Sequence, residues 1–119
     1  MPAYMIARTT ITDRSMFEQE FMPTIRPAFE AHGAKLLAQS DSVETIKGTD
    51  TIAHAAILEF PDLNAAYACA ASSEFKAAMA IADNCMTDHA VRLVDGWKHR
   101  QGLKALSLPA RLRRSLLSN

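Results

Sequence analysis

The hydrophobic and polar positions of the chain alternate in several short segments, which is the repeat of a β-strand. Near the start, small or apolar residues at positions 3, 5, 7 and 11 alternate with a mixed set, and this predicts a strand over residues 3–12. The most apolar run ends at Pro61 and predicts a central strand over residues 52–60. Further strands are predicted over residues 34–39 and 87–95, with another extended piece at 43–47.

Two longer segments have the repeat of an amphipathic helix. In the first, Asp13 is a natural N-cap, and bulky apolar residues spaced four apart form one stripe: Phe17, Phe21, Ile25 and Phe29. Proline lacks an N–H and disfavours helical backbone in the residue before it. We therefore predict that Pro23 and Pro27 break the helix near Met22, with Pro23 in the first turn of the restarted helix.

The second helical segment is predicted to start at Pro61 or Asp62 and to be kinked. Its first apolar stripe is followed by a fresh capping sequence at residues 72–74, and a second stripe then continues to Ala82. The element order is therefore β-α-β-β-α-β. The connection rules fold this order into an α+β, ferredoxin-like domain, a four-stranded antiparallel sheet with both helices on one face.

The other sheet face, called the open face below, is left uncovered and is partly apolar. Strand alternation assigns the following residues to it: Tyr4, Ile6, Arg8, Lys35, Leu37, Gln39, Ala55, Ile57, Glu59, Ala90, Arg92 and Val94. An exposed apolar face needs a partner, and the simplest one is the same face of a second copy. We therefore predict a homodimer through the sheet faces.

The polar residues of the open face are the first candidates for chemistry. We place the first strand parallel to the third and antiparallel to the fourth, which brings Arg8 and Glu59 to the same end of the sheet with Arg92 in reach. Glu59 would act as a general base, beside the Tyr4 phenol, and the guanidiniums would stabilise an enolate. Arg92, Ile6, Ile57 and Gln39 would bind the substrate. The alternative is a buried ion pair of Arg8 and Glu59 that only fixes strand register.

Histidines and cysteines give weaker signals. His54 and His89 fall on the helix side of the sheet, at strand starts, and are second choices for catalysis. The sequence contains no H-x-H, H-E-x-x-H or C-x-x-C spacing and no glycine-rich phosphate loop, so we expect neither a metal nor a cofactor. Cys69 and Cys85 are interpreted as small buried thiols rather than as a disulfide.

Composition and charge exclude several classes of protein. The 119 residues are enough for one domain, and 49% of them are hydrophobic, so the chain should fold. The absence of a bilayer-length apolar run and of a signal-peptide pattern at the start predicts a cytoplasmic protein without stable membrane attachment. Residues 1–96 carry 13 acidic and 7 basic side chains, which argues against nucleic acid as the main partner.

Several short sequences along residues 1–96 resemble one bacterial family. They include Met1-Pro-Ala-Tyr-Met-Ile-Ala-Arg8, Ile57-Leu-Glu-Phe-Pro61, Ser73-Glu-Phe-Lys-Ala-Ala78 and Leu93-Val-Asp-Gly96, and they keep their order. The chain resembles the family called domain of unknown function 1330. That resemblance implies membership of the dimeric α/β-barrel superfamily, in which two ferredoxin-like sheets face each other. Other branches of the superfamily include cofactor-free monooxygenases, muconolactone isomerases, polyketide cyclases and haem enzymes.

Two classes of function follow from these observations. In the first, the protein is a cofactor-independent isomerase, lyase, cyclase or monooxygenase acting on a small hydrophobic, acidic or enolisable molecule in the barrel cavity. In the second, it is a non-catalytic module that binds such a molecule or only forms oligomers. An open cavity that reaches Arg8 and Glu59 would favour the enzyme, whereas an interior filled by side chains would favour the module.

The end of the chain, residues 97–119, differs from the rest because it carries six basic side chains and no acidic one. Its leucines alternate with these basic residues, and Pro109 starts a short amphipathic pattern. Such a helix is too short to be stable alone in water. We therefore expect a domain at residues 1–96 and a basic extension that packs on the acidic body, with Trp97 as its anchor.

Overall fold

The structure, a computed structural model, describes residues 1–96. The elements follow the predicted order: β1 (Ala3–Ile11), α1 (Arg14–Met16), a π-helical segment (Phe17–Phe21), α2 (Met22–Ala31), β2 (Lys35–Ser40), β3 (His54–Phe60), α3 (Leu63–Ala71), α4 (Ser73–Cys85) and β4 (Met86–Asp95). They form one sheet with the helices on one face, so the predicted α+β, ferredoxin-like fold is confirmed. The prediction for residues 97–119, with Trp97 as anchor, lies outside the described residues.

The sheet has the strand order β2-β3-β1-β4, and every neighbouring pair is antiparallel. The prediction that β1 runs parallel to β3 is therefore wrong. The helical crossover makes β1 and β2 parallel, and the loop after β2 reverses the chain, so β3 between them runs against both. In the resulting register Tyr4 lies opposite Glu59 and Arg8 lies opposite Ala55. Arg8 and Glu59 are consequently at opposite ends of the strand pair.

The first helical region continues through its prolines without a break. Asp13 caps it as predicted, since its carboxylate accepts a hydrogen bond of 3.0 Å from the Met16 N–H. A π turn follows, in which the Met22 N–H donates to the Phe17 carbonyl oxygen, and Pro23 then lies in the first turn of α2. The predicted break near Met22 is wrong, because the wider π turn leaves room for the Pro23 ring without ending the helix. The predicted position of Pro23 in the first turn of the following helix is confirmed, and Pro27 lies inside α2.

The strand β2 and the loop after it differ from the predicted alternation. Its pairing with β3 shifts between Leu36 and Ala38, and after this bulge Gln39 lies opposite Ala56. The bulge residue Leu37 restarts the alternation, so the prediction that Gln39 belongs to the open face is wrong. The extended piece predicted at residues 43–47 forms no strand, because the loop there closes on itself without a sheet partner.

The core lies between the sheet and the helices. Its largest fully buried side chains come from both layers: Met5 and Phe60 from the sheet, Cys69 from α3 and Cys85 from α4. Both cysteines are free, as predicted. Burial raises the pKa of the Cys69 thiol to about 11, which keeps it protonated and unreactive near neutral pH.

Ser72 ends α3 and starts α4, and its hydroxyl serves both helices. Its Oγ donates to the Cys69 carbonyl oxygen at 2.6 Å and accepts from the Phe75 N–H at 3.2 Å. One side chain therefore fixes the kink that the sequence predicts.

We predict that Ser72→Ala lowers the free energy of unfolding by about 1 kcal/mol, the usual cost of losing a helix cap. The matched control is Ser73→Ala at the neighbouring, exposed position, which we expect to change stability by only a few tenths of a kcal/mol. Urea unfolding of both variants checks this. Equal losses in the two variants would show that the cap is not the cause.

Candidate functional site

Every predicted open-face residue of β1, β3 and β4 lies on that face. Register pairs place Tyr4 with Glu59, Ile6 with Ile57 and Arg8 with Ala55, while Arg92 lies opposite Ile6 on the other side of β1. Directly opposite residues point to the same face of a sheet. The apolar part of this face is exposed in the single chain, where Ile6 is 43%, Ile57 37% and Val94 45% accessible.

Tyr4 and Glu59 form a pair at one end of the open face. The Tyr4 hydroxyl donates to Glu59 Oε2 at 3.3 Å. Partial desolvation raises the pKa of the Tyr4 phenol, and the negative charge of Glu59 and this hydrogen bond raise it further. The phenol is therefore a proton donor that stays neutral over a wide range of pH.

Arg8 lies toward the other end of the open face and has a different partner. Its Nη1 is 3.7 Å from Asp50 Oδ2, in the loop between β2 and β3. The pair Ile6 and Ile57 lies between Arg8 and Glu59 in the register. The alternative of an Arg8–Glu59 ion pair is therefore wrong, because the antiparallel pairing of β1 and β3 separates the two charges.

A cavity of about 320 Å³ lies on the opposite side of the sheet, between the strands and the helices. We call it the helix-side cavity. Its walls are mostly apolar and come from the sheet and from α2 and α4, among them Met5, Leu58, Ile25, Phe29, Phe75 and Met79. Exposed residues of β2 and α2 also line it, so it opens to solvent between these two elements. Apolar walls with a few polar groups are typical of small-molecule sites.

Four polar side chains line the helix-side cavity: Arg26, Glu30, Gln39 and His89. Desolvation lowers the pKa of His89, although the carboxylate of Asp83 acts in the opposite direction, so its imidazole is neutral near pH 7. Gln39 and His89 were candidates from the sequence, whereas Arg26 and Glu30 were missed. Their spacing of four, beside the apolar stripe of α2, is the signal that places them on one edge of the helix.

His54 lies on the helix side, as predicted, but does not line the cavity. It is only 7% exposed, and its ring meets that of Phe17 edge to face at 5.6 Å between centroids. Its Nδ1 is 2.7 Å from Asp41 Oδ1, and its Nε2 is 3.3 Å from the Gln39 side-chain nitrogen. These contacts connect His54 to the cavity through Gln39.

Residues 1–96 contain no group of three or more histidine, cysteine, aspartate or glutamate side chains placed to hold a metal ion. None of the helices in this part of the chain is both long enough and apolar enough to cross a membrane.

We predict that Glu59→Gln lowers the pKa of Tyr4 because the substitution removes a negative charge from beside the phenol. The pKa should stay above its ordinary value, since desolvation is the larger cause. The chain has two tyrosines, so the ultraviolet titration is done in a Tyr67→Phe background. Asp50→Asn, beside Arg8, is the control and should leave the midpoint unchanged. A midpoint that Glu59→Gln does not move would contradict the pairing.

Comparison with solved structures shows the fold at low sequence identity. A protein of unknown function from Rhodopseudomonas palustris has a TM-score of 0.67 and 16% identity, with 82% of this chain and 83% of that chain covered. SnoaB, a cofactor-independent oxygenase from Streptomyces nogalater, has a TM-score of 0.56 and 13% identity, covering 82% and 94%. An ethyl tert-butyl ether D (EthD) family protein from Bacillus halodurans has a TM-score of 0.53 and 16% identity, covering 82% and 100%.

The sequence comparisons give the family. A search of curated proteins finds no match. The family described as Domain of unknown function (DUF1330) matches residues 2–97, most of the chain and all but the first of the residues whose structure is described. The resemblance carried by the short sequences of residues 1–96 is thereby confirmed, and the chain belongs to the DUF1330 family.

Proposed function

We propose that the protein is a cofactor-independent enzyme that takes a proton from a small, enolisable, largely apolar molecule. The observation that carries this proposal is the helix-side cavity, whose apolar walls surround a half-buried, neutral imidazole. At about 320 Å³ the cavity is at the small end of the range for ligand pockets. SnoaB, a cofactor-independent oxygenase, supports the proposal because it shares the fold.

The polar residues of the cavity suit proton abstraction. His89 would accept a proton from a carbon next to a carbonyl or from a phenolic hydroxyl, and the negative charge would collect on the ligand oxygen. Arg26 would stabilise that oxyanion, and the Gln39 amide would hydrogen-bond a polar substituent. Apolar walls exclude water and so strengthen these interactions. On an enolisable substrate, such an anion is a starting point for cofactor-independent reactions of the isomerase, lyase, cyclase and monooxygenase types.

The experiments below also test two alternatives to this proposal. The open face with Glu59, Arg8, Tyr4 and Arg92 stays a predicted site, in which a ligand would lie between the sheets of two copies. The antiparallel register of β1 and β3 favours Tyr4 as the partner of Glu59. Arg8 lies farther along the strand pair, away from Glu59. The non-catalytic alternative is a protein that only binds the molecule.

We predict that Ala56→Leu abolishes binding of small aromatic ligands, whereas Ala55→Leu does not. Ala56 lines the helix-side cavity, where a leucine would fill space, and its neighbour Ala55 points to the open face. Screening a fragment library by ligand-detected NMR against both variants and the unchanged chain checks this. Loss of binding in Ala55→Leu alone would show that the ligand site lies on the open face instead.

Turnover then separates the enzyme from the binding module. The fragments that bind are incubated with the protein in deuterated water, and we expect their acidic C–H positions to exchange faster than without protein. His89→Gln should abolish this exchange while binding persists within a few-fold. Binding without protein-dependent exchange would favour the non-catalytic alternative.

We also propose that the domain of residues 1–96 dimerises through the open face, as a cytoplasmic protein. Ile6 and Ile57 lie in the middle of this face and are exposed in the single chain. A lysine there would have to be buried in the dimer without a partner, at a cost of several kcal/mol.

We predict that Ile6→Lys converts the dimer to a folded monomer in sedimentation at micromolar concentration. Tyr67→Lys is the matched control, because Tyr67 is 59% exposed on α3, away from the open face. That control should sediment like the unchanged chain. If the unsubstituted chain itself sediments as a stable monomer, the proposed dimer is refuted.

A further inference from the structure

A row of polar side chains connects the protein surface to the helix-side cavity. Arg14 Nη2 donates to both carboxylate oxygens of Asp41, each at 3.2 Å. Asp41 Oδ1 is 2.7 Å from His54 Nδ1, and His54 Nε2 is 3.3 Å from Gln39 Nε2. Gln39 in turn lines the cavity. The row therefore joins an exposed guanidinium to the polar lining of the proposed ligand site.

The partners of His54 fix where its proton lies. The hydrogen bonds from His54 and Arg14 lower the pKa of Asp41, so its carboxylate is ionised and can only accept. His54 Nδ1 must then carry the proton. His54 Nε2 faces the amide nitrogen of Gln39, which can only donate, so His54 Nε2 must carry no proton and accept the hydrogen bond. The geometry fits the neutral imidazole with its proton on Nδ1.

We propose that Asp41 and His54 position the Gln39 amide so that its carbonyl oxygen is offered to the cavity, which then selects ligands carrying a hydroxyl or N–H donor. This inference rests on the proposed function only in taking the cavity as the ligand site. One N–H of the Gln39 amide donates to His54, and the hydrogen bonds within residues 1–96 leave the carbonyl oxygen of Gln39 without a protein partner. His54 is a positioning residue, because it acts on the ligand only through Gln39.

A matched pair of probes measures this preference. 2-Naphthol carries a hydroxyl donor, and 2-methoxynaphthalene has the same rings without one. At pH 7.5 we expect the ratio of their dissociation constants to favour 2-naphthol by about 2- to 10-fold, which corresponds to one hydrogen bond. Gln39→Leu and Asp41→Ala should bring the ratio close to one. Arg14→Gln is the control, because it leaves the Asp41–His54 hydrogen bond in place, and it should keep the preference.

NMR of the ligand-free, unsubstituted protein tests the same inference without any probe. Nitrogen-15 spectra at pH 7.5 should show His54 with its proton on Nδ1 and none on Nε2. A proton on Nε2, or a naphthol preference unchanged in Asp41→Ala, would overturn the positioning role. Failure of both probes to bind would instead count against the cavity as ligand site, while the NMR result still decides the orientation of Gln39.

Discussion

Packing of the helices against one face of the sheet is the constraint on which the rest of the structure depends. Met5 and Phe60 are fully buried beneath them, and Cys69 and Cys85 pack down from above. This burial supplies the hydrophobic stabilisation of the fold. It also decides which alternate residues of each strand face the core and which face outward on the open face. The helix-side residues of the strands build the core and the cavity, and the remaining residues build the open face.

Strand alternation was sufficient to predict most of this division. The faces of β1, β3 and β4 agree with the sequence because each strand is regular where its apolar residues alternate. The helix cap at Asp13 and a second cap within residues 72–74 were also predicted, since a capping side chain acts within three residues of itself. Local chemistry of this kind can be read without knowing the fold.

Other features depend on contacts between distant segments and could not be predicted. The bulge at Leu37 comes from fitting β2 to β3, and it moves Gln39 to the other face without any local signal. The direction of β3 is different, because it follows from the helical connection before β2 and the loop after it, so the element order was sufficient to predict it. The cavity arises from imperfect packing between the helices and the sheet, and the periodicity of the sequence does not predict its volume. The partnership of Asp41 with His54 likewise joins segments that only the folded chain brings together.

The π turn at Phe17–Phe21 has a consequence for how this helix tolerates changes in length. A π turn holds one residue more than an α-turn in the same hydrogen-bonded loop, so it behaves as an insertion absorbed within the helix. Deleting a single residue there would convert it to regular α-helix and leave the following residues facing nearly the same way, because the π turn already holds its extra residue within about one turn. Residues of α2 that line the cavity would keep their orientation relative to α1. A deletion of the same length inside the regular part of α2 would instead rotate everything after it by about 100°.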